Sequence, residues 1–583
     1  MKYSADFETT TDENDCRVWA VGISSIYNYQ FDYGNNIEWL FDYFEKHPNT
    51  DYYFHNQNFD GEFILHWLLT HDFKWRADKN HLTDKTFSTL ISDAGQFYSI
   101  EICLSEDDLT EDRNIIKIYD SLKILPMSVK SIAKAFDLPI EKEEIDYKAF
   151  RPKGHKLTDA EISYLRNDCE IVARALNFMF SHGLTKMTTA SNALFSFKKM
   201  YSAKRFQRDF PILPIETDAD IRRAYRGGFT YVNPLFQNRE IGEGIVLDVN
   251  SLYPSRMMYE NLPYGEPIFF EGEYENDEFY PLYIQKFVCE FELKERHIPT
   301  IQLKNSISYN PTEYITKSDV EVEMILTNVD LALFLEHYNV ANLHYISGWK
   351  FKSANGFFTD YINYWNDVKV KATKEGNKGL RTIAKLMLNS LYGKFGLNPK
   401  VCSKIPYLVD DVVKYRNGDE EIRDPIYIPM AVFITAYARN VTIRAAQQLY
   451  DRFMYADTDS LHLRGLDMPD NIEIDDAKLG AWKHESTFLR GKYLRAKTYI
   501  EEIKLKPEII ETENSEKQAI FYDSMIDVKC AGMPDNVKKS VTWENFNCGS
   551  VYAGKLIPKH VKGGIVLVDT EFSILPLKNK SIF

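Results

Sequence analysis

At 583 residues, with 44% apolar and 27% charged side chains, the chain is globular rather than disordered and too long for one hydrophobic core, so two or more domains are expected. Seven cysteines, odd in number, scattered and without a Cys-x-x-Cys, exclude a disulfide framework or a thiolate zinc site and fit a reducing cytosol. The net charge of −15 argues against a polyanionic partner for the whole chain, yet residues 1–188 hold 20 basic and 32 acidic side chains, a balance of −12, which leaves only −3 on the other 395.

The polar start, Met1 to Asp6, and the lack of an eighteen-residue apolar run predict neither a signal peptide nor a membrane span. Tyr3, Ala5 and Phe7 alternate with Ser4, Asp6 and Glu8, the pattern of a half-buried strand with Asp6 and Glu8 on its polar face. A further carboxylate, Asp60, lies in His55-Asn56-Gln57-Asn58-Phe59-Asp60-Gly61. Thr158 and Glu161 form a capping box that opens a helix, on which Ile162, Leu165, Cys169, Val172 and Leu176 make an apolar stripe. Tyr164 and Asp168, four apart, stack on an adjacent face of it. Four acids from three segments can converge on one two-metal centre that cleaves a phosphodiester, with Tyr164 orienting the attacking water.

The second half repeats the logic. Ile245-Val246-Leu247 reads as a short buried strand that ends in Asp248. From Lys369 to Lys394 there are seven basic residues and one acid, Glu375. Within that stretch Lys378, Arg381, Lys385, Asn389 and Tyr392 form one polar stripe of a helix, opposite Leu380, Ile383, Met387 and Leu391. Such a stripe suits a triphosphate at one end and a base at the other; an amphipathic helix with a solvated basic face is the plainer alternative. Phe453 to Ala456 leads into Asp457-Thr458-Asp459-Ser460, and Leu461-His462-Leu463 resumes the alternation: a hairpin with two carboxylates at its turn. Period-two alternation predicts that Asp457 and Asp459 project together, where they repel unless a cation such as Mg²⁺ intervenes. Asp248 at its strand end is placed to join them. Arg490 to Lys497 adds four basic residues and no acid, a second local site for backbone phosphates.

These segments carry a resemblance. Asp248-x-x-Ser-Leu-Tyr-Pro254, Lys385-x-x-x-Asn-Ser-Leu-Tyr-Gly393 and Tyr455-x-Asp-Thr-Asp-Ser460 resemble the A, B and C motifs of family B DNA polymerases. Asp6-Phe-Glu8, Asn56-x-x-Phe-Asp60 and Tyr164-x-x-x-Asp168 resemble the proofreading-exonuclease motifs of that family, in the same order. The protein-primed branch from small Bacillus phages, the phi twenty-nine-like group, is the nearer likeness. Tyr225-Arg226-Gly227-Gly228-Phe229 resembles its linker motif, Lys497-Thr498-Tyr499 its primer-strand motif, and Asn250 stands where that branch has Asn.

The resemblance implies an α+β multidomain chain: an RNase H-like exonuclease domain followed by a right-hand polymerase of palm, fingers and thumb with two insertions. The implied boundaries are 1–188 for the exonuclease and 189–583 for the polymerase. The palm would be about 189–260 and 427–529, the first insertion about 261–357 and the fingers about 358–396. The second insertion would be about 397–426, with a turn at Asn417-Gly418-Asp419, and the thumb about 530–583. In relatives the first insertion contacts a terminal protein and the second supports processivity.

The implied roles are specific. Asp248 and Asp459 hold two Mg²⁺ ions (Mn²⁺ as substitute), with Asp457 and the Val249 carbonyl in support. Lys385 and either Lys371 or Lys369 meet the triphosphate. Tyr253 stacks under the sugar and excludes a 2′-hydroxyl, which disfavours ribonucleotides, while Asn389 and Tyr392 line the nascent base pair. Lys497 and Tyr499 grip the primer end, and Tyr225, Gly227 and Gly228 meet DNA at the linker. In the exonuclease Asp6, Glu8, Asp60 and Asp168 bind metal ions, with Glu144 added where relatives often carry Asp. Thr9, His55, Asn56, Phe59, Ser121 and Leu122 hold a single-stranded 3′ end, assisted by Lys142.

The expected protein is therefore a replicative DNA polymerase with a 3′–5′ exonuclease. It would be monomeric in the bacterial host cytoplasm and would use template, primer, dNTPs and a terminal protein as primer. No membrane partner is expected, and no sliding clamp, because Leu577 to Phe583 lacks a clamp-binding pattern. The alternatives are an exonuclease with a DNA-binding but inactive second half, and a non-enzymatic single-strand-binding protein.

Overall fold

The computed structural model describes residues 1–106, 112–303, 313–505, 508–511, 517–520 and 523–575, so the carboxyl-terminal Leu577 to Phe583 lies outside the described residues. Two eight-stranded sheets dominate, each with its own hydrophobic core.

In the first sheet the strand Lys2–Thr9 is central, antiparallel to Val18–Ser25 on one side and parallel to Asp51–Phe54 on the other. Asp51–Phe54 in turn runs parallel to Arg113–Asp120. Tyr3, Ala5 and Phe7 face a core that includes Phe63, Ile64 and Leu65 of the helix Gln57–Thr70. The opposite face, expected to be polar and solvated, is instead covered by the helix Asp159–Ser181. A Cβ on Gly22 would lie 2.6 Å from Leu165, which shows how closely that helix rides on the sheet. Glu8 is consequently only 6% exposed. The helix starts as the sequence indicates, with both halves of the Thr158–Glu161 capping box formed.

The second sheet is antiparallel along its path. Gly244–Val249 lies between Ser460–Arg464 and Trp482–Arg495. Ile245, Leu247 and Val249 pack with Ala438, Ile443 and Ala445 of the long helix Ile428–Gln448, which burial makes apolar on most sides.

Between these strands in the chain come several smaller units. A four-stranded sheet is built from Leu262–Glu271, Tyr338–Ala354, Leu282–Leu293 and Val322–Thr327. The helices Thr359–Lys374, Lys378–Ser390 and Tyr392–Phe395 follow it, and then a hairpin, Lys400–Val409 with Val412–Ile422. The turn of this hairpin falls at Asp410–Asp411, not at Asn417–Gly418, which sits inside its second strand. A two-residue hairpin turn of type I′ needs positive φ at both positions, and Asp410 (φ 51°) and Asp411 (φ 63°) supply it, because Asp tolerates the left-handed region.

A last hairpin, Val551–Val561 with Gly564–Ser573, reaches back to the first sheet. Lys562 pairs with Asp411 at 2.7 Å, and His66 of the helix Gln57–Thr70 meets the same Asp411 at 3.1 Å. Tyr415 donates to Glu62 of that helix at 2.7 Å. The two hairpins and the first sheet are thus joined at one junction.

Candidate active sites

The first site lies where the strand Lys2–Thr9 faces two helices. Asn56 adopts a left-handed conformation (φ 74°) that turns the chain from Asp51–Phe54 into the helix Gln57–Thr70, and this presents Asp60 in the first helical turn. Asp168 comes from the covering helix. Ligand atoms of Asp6, Glu8 and Asp168 lie within 4.8 Å of one another. Burial, then the charge of Asp168, pushes the Asp6 carboxyl up to about 7. Burial and the neighbouring acids raise Glu8 and Asp60 well above the carboxylate range. Burial also raises Asp168, against an ion pair from Lys142. Lys142 reaches the Tyr164 hydroxyl at 3.2 Å, and Tyr147 shares a 2.7 Å hydrogen bond with that hydroxyl. A cleft of about 1030 Å³ opens above the acids. Thr9, His55, Asn56 and Phe59 line it, with Leu556 and Leu567 of the last hairpin among its other lining residues.

The second site lies at one end of the second sheet. Asp248 and Asp457 are both register partners of Ser460, from opposite sides of its strand. Two strand spacings, roughly 9–10 Å, therefore separate their backbones. Thr458 is left-handed (φ 62°), which breaks the period-two alternation assumed for this turn. Asp459 turns toward Asp248 instead: the Val249 N–H donates to the Asp459 carbonyl at 2.8 Å. Burial first, then the charge of Asp248, pushes the Asp459 carboxyl up to about 6. Asp457 accepts from Lys497 Nζ at 2.9 Å and from Thr230 at 3.0 Å. The three acids accordingly do not form a close three-way group among the described residues, although the charge of Asp457 still adds to the rise of Asp459.

The helix Lys378–Ser390 carries Arg381, Lys385 and Asn389 exposed on one side, with Ile383 and Met387 buried on the other. Tyr392 stacks on Tyr253 with centroids 4.1 Å apart and planes 15° from parallel. Lys369 lies within the field of Arg381, Lys385 and Lys483, and burial lowers its pKa, with those cations adding to the shift. Lys371 is 75% exposed and 3.9 Å from Glu375.

Comparison with known proteins decides the family. Residues 44–477 match the model of DNA polymerase type B, organellar and viral. The chain belongs to that type B family. Among similar type B proteins, the DNA polymerase of Bacillus phage M2 is 50% identical over 98% of this chain and 99% of its own. That of Bacillus phage phi29 is 49% identical over 98% of each. The fold matches a solved phi29 DNA polymerase complexed with primer-template DNA and incoming nucleotide substrates. The TM-score is 0.91 at 48% identity, covering 98% of this chain and 99% of that one.

Within this type B framework the other expected site residues are placed by contacts of their own. Glu144 is exposed and stands outside the Asp6–Glu8–Asp168 group; its neighbour Glu143 instead ties down Ser163 and Asn167 on the covering helix. Ser121 is fully buried: its hydroxyl donates to the Phe54 carbonyl and is joined to His55 at 2.9 Å, so it braces the cleft rather than lining it. His55 is half-buried, bonds the Met127 carbonyl through its other nitrogen and still borders the cleft. Leu122 is half-buried. Tyr499 packs on Tyr455, His462 and Tyr493, and the Lys497 ammonium is engaged by Asp457. Tyr225 packs on Gly396, where a Cβ would lie 2.7 Å from its hydroxyl. Gly227 gives its carbonyl to Arg439.

Four residues escaped the sequence reading. Fully buried Asp120 accepts from the Asn56 and Leu122 N–H groups and so fixes two cleft loops at once. Arg439 and Asp330, a buried pair at 2.7 Å, clamp the carbonyls of Arg226 and Gly227. Lys483 is the cross-strand partner of Asp248. Each acts through a strand or helix pairing far apart in sequence, where no local spacing announces it.

The donor set of the first site fits divalent cations. Its carboxylates are hard oxygen ligands, buried and mutually repelling. The Asp168 Oδ1 atom is buried with no hydrogen-bond partner.

Proposed function

We propose that the chain is a DNA-directed DNA polymerase with a separate 3′–5′ exonuclease, acting through two-metal phosphoryl transfer. The single observation that supports this best is the pair of distinct acidic centres, Asp6–Glu8–Asp60–Asp168 on the first sheet and Asp248–Asp459 on the second, in a chain of the type B family.

Mg²⁺, with Mn²⁺ as a substitute, would be held by those carboxylates and would supply Lewis-acid stabilisation of charge on the phosphoryl oxygens. The chain's own residues position and neutralise. Lys385, Arg381 and Lys369 supply cationic charge for a triphosphate, with Lys371 as a more exposed candidate. The Tyr253–Tyr392 stack forms a floor that a sugar can rest on, and the Tyr253 ring would exclude a 2′-hydroxyl. Asn389 extends the same helix face toward the base pair. Lys497 and Tyr499 stand beside Asp457 for the primer strand.

In the exonuclease the Tyr164 hydroxyl, held by Tyr147 and Lys142, orients water. The cleft bordered by Phe59 and Asn56 accepts a frayed 3′ end by stacking and hydrogen bonding. The domain division 1–188 and 189–583, protein priming by a terminal protein, strand displacement and action in a bacterial cytoplasm belong to the same reading. Among the described residues no helix is long and apolar enough to cross a membrane.

A labelled primer-template with Mg²⁺ tests the proposal. The primer should lengthen with dNTPs and shorten without them. Shortening under both conditions would leave a nuclease with a DNA-binding half, and constant length would leave a protein that only binds DNA.

A further inference from the structure

Lys483 is set beside Asp248 by the backbone itself. The two are register partners on adjacent antiparallel strands, Trp482–Arg495 and Gly244–Val249. Directly opposed residues of such strands hold their Cβ atoms about 4.5–5.5 Å apart, which puts the carboxylate within reach of the lysine side chain. The ammonium lies 3.3 Å from Asp248 Oδ2 and 3.0 Å from Glu485, and it also falls within the field of Asp459. It is 30% exposed, so it has room to move, and Glu485, at 55%, offers it a second anchor on the same strand.

The exonuclease centre has a comparable arrangement, with Lys142 on Asp168. The two differ in one respect. Lys142 comes from a connecting segment and is also held by Tyr164, whereas Lys483 is fixed by strand register and shared with an exposed glutamate.

Resting on the two-metal polymerase reading above, we propose that Lys483 is a tethered cation that neutralises Asp248 in the metal-free enzyme and competes with the divalent metal for that carboxylate. Metal entry releases the ammonium from Asp248 and leaves it on Glu485. No bond is made or broken; one cation replaces another at Asp248. The consequence is a polymerase centre whose metal affinity is set below what Asp248 and Asp459 alone would give.

Mn²⁺ binding followed by electron paramagnetic resonance tests this in the full chain carrying Asp6→Ala and Asp168→Ala, so that the polymerase centre is the one titrated. Lys483→Ala should tighten Mn²⁺ binding about threefold to tenfold without dNTP, from loss of a competing unit charge at contact distance. The Mg²⁺ concentration for half-maximal extension should fall by the same factor, and Lys483→Arg should match the parent. Lys483→Gln repeats the test with the stem of the side chain retained, and the melting temperature of each variant verifies folding. Unchanged or weaker Mn²⁺ binding in Lys483→Ala and Lys483→Gln overturns the proposal, as does a rise in dNTP KM with no change in metal affinity, which would assign the ammonium to the triphosphate. Asp459→Asn in the same background separates the two claims: if it leaves Mn²⁺ binding intact, the two-metal reading of this centre fails first.

Discussion

Gly228 and Thr458 touch so closely that a Cβ on Gly228 would lie 2.7 Å from Thr458 Cγ2. Thr458 separates the two aspartates of the hairpin turn, donates its N–H to the Phe229 carbonyl at 2.7 Å and is left-handed. The linker glycine therefore holds the turn in the conformation that aims Asp459 at Asp248. Gly228→Ala should shift this turn at a cost of about 1–3 kcal/mol. It should lower primer extension much more than primer degradation, measured on the same duplex; equal losses of both would show that the contact has no special bearing on the second site.

Arg439 and Asp330 form the buried pair beneath the same linker. Burial opposes ionisation of Asp330, but the Arg439 guanidinium holds its carboxyl below the ordinary range. Asp330→Ala leaves a buried guanidinium unpaired and should cost about 3–5 kcal/mol of stability, whereas the paired change Asp330→Leu with Arg439→Met should cost less. Denaturant unfolding of both proteins is the check. A double variant less stable than Asp330→Ala would refute the assignment.

Metal-free stability should fall as pH rises. Asp6 at about 7 and Asp459 at about 6 titrate above the usual carboxylate value near 4, with Glu8 and Asp60 also raised. Between about pH 4 and 7 the folded chain keeps protons that the unfolded chain has released, so these groups contribute less stability as pH climbs. Above pH 7 Asp6 and Asp459 are charged and repel the neighbouring acids, and a divalent cation removes that repulsion. Mg²⁺ should thus raise Tm more at pH 8 than at pH 5.5. An equal or smaller increment at pH 8 would contradict the placement of metal at these acids.

Tyr253 lies flat on Tyr392. Tyr253→Val removes the ring that a 2′-hydroxyl would strike and should increase incorporation of ribonucleotides relative to deoxynucleotides, read by competition of matched dNTP and rNTP. Unaltered discrimination would mean that another group guards the sugar.

Much of this architecture was legible in the sequence because its signals are local. The capping box at Thr158, the strand around Asp6 and the polar stripe from Lys378 to Asn389 each depend on spacings of two to four residues, and each formed, although Tyr392 falls in the next helix, Tyr392–Phe395. Asp459 was visible as a residue type, but its aim was not: the left-handed Thr458 decides that, and a β-branched residue gives no warning of positive φ. Lys483 and Asp330 were invisible for a different reason. Their partners lie 235 and 109 positions away, and only strand register or helix packing brings them together. The buried polar face of the first strand was misjudged because nothing in its own sequence states that a helix more than 150 residues later will cover it.

The claim that two independent centres share this chain is tested most directly by two variants on one labelled primer-template with Mg²⁺. Asp459→Asn should abolish extension with dNTPs and retain shortening without them, and Asp60→Ala should do the reverse. If either variant loses both behaviours while its melting temperature stays that of the parent, or if Asp459→Asn still extends the primer, the two-centre account is wrong.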